Sequence, residues 1–130
     1  MSTDSLGRNA LIDAVIVGDG EKVGARLREN TDVNHSDRSG WTALHFSAQN
    51  NDRVIAQMLI DAGACIDLRD LHGNTALFRA VFAYRNGDEC ISILLEAGAD
   101  PDILNEHGVS PRSLAGTMAN YDARKFFVPR

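Results

Sequence analysis

Residues 40–64, GWTALHFSAQNNDRVIAQMLIDAGA, carry apolar positions at helical spacing twice in succession. The first run sets Leu44, Phe46 and Ala48 behind Thr42, whose hydroxyl can cap a helix start. The second sets Val54, Ile55, Met58, Leu59 and Ala62 on one side and stops at Gly63. The pattern predicts two short helices joined by a turn. Neither can bury its apolar stripe alone, so each needs neighbours.

The neighbours are visible as repeats. Asn9, Thr42, Thr75 and Ser110 fall in one column of helix starts, with steps of 33, 33 and 35 residues. The small residues Ala14, Ser47, Ala80 and Ala115 form a second column with the same steps. Asn30, Gly63 and Gly98 end the second helices, and Asp37, Asp70 and Asn105 each stand three residues before Gly40, Gly73 and Gly108. Independent columns that agree on one period predict stacked units rather than one closed globule.

The segment DRSGWTALHFSAQNNDRVIAQMLIDAGACID resembles an ankyrin repeat, and DLHGNTALFRAVFAYRNGDECISILLEAGADPD resembles it with two extra residues in the turn. NALIDAVIVGDGEKVGARLRENTDVN and VSPRSLAGTMANYDARKFF resemble its degenerate capping units. The resemblance implies an all-α solenoid of about four stacked helix-turn-helix units with short β-hairpin fingers. The units run over residues 8–36, 37–69, 70–104 and 105–128 of a single domain. Two features depart from the family pattern. Ala43 and Ala76 stand where proline usually starts the helix, which only Ser110-Pro111 keeps, and Phe78 replaces the helix histidine that His45 retains. In the family that histidine bonds the hairpin backbone, so His45 is expected to hold a turn.

Read in order, Met1–Gly7 is a polar leader expected to fray. Helices are expected over the stretch begun by Asn9, with Leu11, Ile12, Ala14 and Val15 inside, and over about residues 21–29. Fingers are expected at 30–41, 64–74 and 99–109, with two or three strand residues per arm. Asp32, Asn34, Asp37, Ser39 and Gly40 supply the turn chemistry of the first. The extra residues fall in Tyr84-Arg85-Asn86-Gly87-Asp88, a loop that is either a neutral surface insertion or a functional one. The last unit is expected to form helices over about 111–118 and 121–127, with Tyr121, Phe126 and Phe127 sealing the core.

Composition narrows the function. A net charge of −5 over 130 residues lacks the basic footprint of a nucleic-acid binder. No apolar run is long enough to span a bilayer, and the start shows no secretory pattern. Cys65 and Cys90 make no disulfide framework and lack metal-ligand spacing, and reduced thiols fit the cytoplasm. Cys90 is expected in the core. His72 and His107 hold equivalent places in successive fingers, about 10 Å apart. That is too far to share a zinc ion, whose nitrogen ligands lie at about 2 Å. Phosphate-binding glycine motifs are absent. No nucleophile, base and orienting group are assembled, so neither catalysis, metal nor cofactor is expected.

The family binds proteins through its hairpin tips and the concave side of its first helices. Carried over by column, the tips are Arg38, Ser39 and Trp41, then Leu71, His72 and Asn74, then Glu106, His107 and Val109. The concave positions are Ile16 and Val17, Gln49 and Asn50, Phe82, Ala83 and Tyr84, and Thr117 and Met118. Partner binding is expected at Arg38, Trp41, Gln49, Asn50, Leu71, His72, Asn74, Phe82, Tyr84, Glu106, His107 and Met118. A solvated face would be polar, whereas this one offers large apolar and aromatic side chains, Trp41 among them, that favour an interface. The fingers hold seven acidic and two basic residues, which would steer a basic partner inward. The expectation is a non-catalytic module, monomeric when free, that grips and neutralises one protein. Bacterial immunity proteins against toxins are the analogy, and a regulatory or adaptor subunit is the alternative.

Overall fold

Six of the helix starts are marked by a side chain that captures a free backbone N–H. Asn9 accepts from Ile12, Thr42 from His45, Thr75 from Phe78 and Ser110 from Ser113, at 2.9–3.4 Å. Asp19 and Asp52 do the same for Lys22 and Ile55, both at 3.1 Å. Such caps contribute about 1 kcal/mol each. In the computed structural model, which describes residues 5–85, 90–118 and 122–127, they open α1 (Ala10–Val17), α2 (Gly20–Arg28), α3 (Ala43–Gln49), α4 (Arg53–Asp61), α5 (Ala76–Phe82) and α7 (Pro111–Thr117). The remaining elements are α6 (Cys90–Glu96) and a 3-10 helix, Ala123–Phe127. None of these helices exceeds nine residues, a length marginal in water. Tertiary packing must hold them.

The packing is in two layers. α1, α3, α5 and α7 lie side by side, and α2, α4 and α6 form a second row, each against its own partner. Ala14, Ser47, Ala80 and Ala115 are all buried, as expected of a column that lets neighbouring helices approach closely. Around them Leu11, Ile12, Leu44, Ile55, Leu59, Leu77, Ile91 and Leu94 are almost wholly excluded from water. Cys90 is buried as expected, while Cys65 is exposed, and both are free thiols. Val54 departs from its expected place in the stripe: it is 65% exposed, with Ile55, Ala56 and Leu59 taking the inward side of α4. Ala62 is exposed as well, being the cap beyond the last turn. Asn30, Gly63 and Gly98 end the second-layer helices with positive φ, as their column predicts.

The fingers are tight turns rather than hairpin strands. Among the described residues the only ladder is a single bridge between Ser36 and Thr42. The reason is local. Each turn closes within five residues, by a backbone bond from Asp37 to Trp41, Asp70 to Asn74 or Asn105 to Val109 at 2.9 Å and by one side-chain oxygen, so the arms are too short for a ladder. Asp37 Oδ1 accepts from the N–H groups of Ser39 and Trp41, Asp70 Oδ1 from His72 and Asn74, and Asn105 Oδ1 from His107 and Val109, all at 2.9–3.0 Å.

Successive tips then stack by backbone bonds. Leu71 N–H donates to Ser39 O at 3.1 Å, and Glu106 N–H to His72 O at 2.9 Å. The expected frayed leader joins this series: Arg38 N–H donates to Leu6 O at 2.9 Å, and Gly7 has φ +80°, as Gly40 does. Residues 5–7 therefore form the edge of another tip, 33 residues before its successor. Met1–Asp4 lie outside the described residues.

His45 ties a helix to the next finger. Its Nδ1 accepts from Thr42 N–H at 3.1 Å, and its Nε2 donates to Asn74 O at 2.9 Å, which assigns the proton to Nε2. This is the turn-holding role expected of it. Burial is the main cause that holds its pKa below the ordinary value of 6.5; Asn74, Asp70 and Asp37 push upward and Arg79 downward. The final unit closes on Phe126 and Phe127, which pack against the core, but as a 3-10 turn rather than an α-helix. The Tyr121 expected there lies outside the described residues.

Two predictions follow from these contacts. A methyl group on Gly40 would meet Leu71 N at 2.8 Å, in a backbone conformation that L residues avoid. Gly40→Ala should cost more than the 1–2 kcal/mol of the left-handed conformation alone, or about 2 kcal/mol or more in urea unfolding; an unchanged midpoint would discard the stacked-tip account. The unfolded chain protonates His45 near pH 6.5 while the folded chain resists. The stability His45 contributes is therefore full above that pH and lost as pH falls below it. In His45→Gln, stability should fall less steeply than in the parent between pH 6.5 and 5, and parallel slopes would exclude His45 as the cause.

Candidate protein-binding face

The open side of the first helix layer is built around Arg79, one turn before the end of α5. Its guanidinium carbon lies 5.0 Å from the ring centre of Trp41, 4.8 Å from that of Phe82 and 6.0 Å from that of Phe78. Trp41 packs in turn on Phe46 at 4.8 Å and on His45 at 5.8 Å. Arg8 extends the row, 5.7 Å from the ring centre of Phe46. Two cations and the rings between and beside them run across three successive units. Each such contact is worth about 0.5–2 kcal/mol, depending on desolvation.

Gln49 is half-buried, and its Oε1 accepts from Arg79 Nε at 3.2 Å. Asn50 is exposed and donates to Ile16 O at 3.4 Å. Partial burial lowers the Arg79 pKa, and Asp70 opposes this through space.

The expected positions separate into three groups. Phe82, Leu71 and Val17 present 49%, 70% and 71% of their surface to solvent. Arg38, Ser39, His72, Glu106, His107 and Thr117 are also exposed. Trp41, Ala83 and Val109 are half-buried, and Ile16 and Met118 pack partly against the core.

Two residues are not on the surface. Tyr84 is only 1% exposed: it turns inward and meets Phe126 edge to face at 5.4 Å, with Lys125 Nζ 5.8 Å from its ring centre. Column position could not reveal this, because the partner ring comes from the end of the chain. Asn74 is 7% exposed and links the fingers. Its Oδ1 accepts from Asn105 Nδ2 at 2.9 Å while its carbonyl accepts from His45. The rest of the extra loop, residues 86–88, lies outside the described residues.

The two fingertip histidines are closer than unit spacing implies. Both approach Glu106 Oε1, His72 through Nδ1 at 2.9 Å and His107 through Nε2 at 3.4 Å. Side chains reach across a gap that the backbones keep. Sequence reasoning missed Arg79 as the centre of this face. The signal was present in its spacing, three before Phe82 and one after Phe78, but Trp41 joins it only across units.

A family model for ankyrin repeats, in three copies, matches residues 11–105. The chain belongs to the ankyrin-repeat family. It is 30% identical over 129 residues to an intracellular phospholipase A2 of Caenorhabditis elegans, covering 92% of this chain and 12% of that protein. It is 32% identical over 113 residues to a putative ankyrin repeat-containing protein of Treponema pallidum, covering 86% and 37%. Against the human SH3 and multiple ankyrin repeat domains protein 2 it is 38% identical over 93 residues, covering 70% and 5%. The chain thus spans well under half the length of these relatives. The ankyrin repeats make it a protein-interaction module. No described helix is long and apolar enough to cross a membrane.

The burial contrast within one helix end is testable. Tyr84→Ala should destabilise the ankyrin stack by about 3–5 kcal/mol, the range for a buried aromatic, whereas Phe82→Ala should cost less than 1 kcal/mol. Denaturant unfolding of both measures this, and equal losses would mean that the two rings share one environment.

Proposed function

We propose that this ankyrin stack is a non-catalytic module that binds one protein partner along the row from Trp41 to Phe82 and the tips Arg38, Leu71 and Glu106, and occludes it. The exposed ring of Phe82 beside the half-buried Trp41 and Arg79 carries this reading: tryptophan and arginine dominate interface energetics, and here they stand pre-ordered at an open surface. The free chain is a cytoplasmic monomer with repeats at residues 8–36, 37–69, 70–104 and 105–128.

An immunity-type role, neutralising a basic toxin or enzyme, is supported by the acidic fingers. Their charge is partly committed: Asp37 and Asp70 hold turns, and Asp102 pairs with Arg112 at 2.8 Å. Asp100 and Glu106 are exposed and keep charge toward solvent to steer a basic surface, although Asp100 Oδ1 also accepts from Asp102 N–H at 2.9 Å and Glu106 Oε1 lies 2.9 Å from His72 Nδ1. An adaptor subunit in a stable complex is the alternative, supported by the same face.

Phe82→Ala combined with Leu71→Ala should lower affinity for a partner purified with the full chain by at least tenfold, with the thermal midpoint nearly unchanged. Association should slow as salt rises from 50 to about 500 mM, where the screening length falls well below 10 Å. Normal binding by the double variant would move the interface elsewhere, and salt-independent rates would remove the steering.

A further inference from the structure

We propose that the anchor this face accepts is a carboxylate, an aspartate or glutamate side chain of the partner protein, seated on the edge of Arg79. This rests on the binding reading above and names the chemistry at its centre. The guanidinium has two faces and an edge. Rings of Trp41 and Phe82 lie close to it, and Nε is committed to Gln49. The described residues offer no hydrogen bond to either Nη and no carboxylate within 4.0 Å of Arg79. Asp70, the nearest acid in effect, acts only through space. Its Oδ1 is taken by two backbone N–H groups, and its Oδ2 is buried without a hydrogen-bond partner and does not reach Arg79.

A half-buried guanidinium packed by rings and held at Nε is pre-organised, and its remaining Nη–H donors match the two oxygens of a carboxylate. A lysine or arginine arriving here would meet like charge in a partly desolvated site. A neutral side chain would leave the donors unmatched. The acidic finger edge and this cationic centre thus select a partner segment with opposite requirements: basic residues toward the tips and one acid at the wall.

The test uses the full chain and a library of extended nine-residue peptides, randomised at all positions. Enrichment of Asp or Glu at one position is expected. Changing that acid to its amide should weaken binding at least tenfold in fluorescence anisotropy. Arg79→Gln should abolish the preference, and Arg79→Lys should retain it in part. Thermal unfolding of both variants establishes that the stack persists. Peptides that lack an acid yet lose binding in Phe82→Ala would overturn the carboxylate anchor and leave the face standing. No enrichment of an acid would overturn the anchor alone, and binding indifferent to both Phe82→Ala and Arg79→Gln would overturn the anchor and the face together.

Discussion

Register between units rests on a backbone hydrogen bond from each fingertip to the one before it. Helices of seven to nine residues cannot stand alone, so the stack exists only where neighbours are held in phase. The bonds from Leu71 to Ser39, Glu106 to His72 and Arg38 to Leu6 do this at the tips. A side-chain link runs beneath them, from His45 to Asn74 and from Asn105 to Asn74. Asn74 is thus the residue where two neighbouring units are joined at once, which explains its burial in a surface turn.

This register also creates the binding face. Trp41 belongs to one finger, Gln49 to the helix behind it, and Arg79 and Phe82 to the following unit. Only the fixed offset between units brings a tryptophan over a guanidinium that a third residue holds in place. The same scaffold that satisfies backbone groups therefore positions the side chains left for a partner. No loop rearrangement is needed to assemble them, which lowers the ordering cost of binding.

Charge divides along the same lines. The chain is acidic overall, and its fingers hold the excess, yet several of those acids are spent on turns or on Arg112. The wall between them carries Arg79 on aromatic rings. Net charge alone pointed toward a basic partner. The distribution adds a local site of opposite sign, buried enough that salt would screen it less than the fingers.

The period, the caps, the small column and the helix stops were all legible in the residues, because each is set by local chemistry repeating every 33 to 35 positions. The first tip was legible too, in Gly7, but hid in a stretch too short and polar to read as structured. What local pattern could not decide was which way long side chains turn once neighbours exist. Tyr84 went inward because Phe126 arrives from the far end of the chain, and Val54 outward because the buried side of α4 runs through Ile55, Ala56 and Leu59 and turns Val54 away from it. Arg79 became the centre of the face for a related reason: its partners Trp41 and Gln49 are near in space only after the units stack. Sequence determines what each unit can bury, and tertiary structure decides which competing side chain does so, because volume between packed units admits only one.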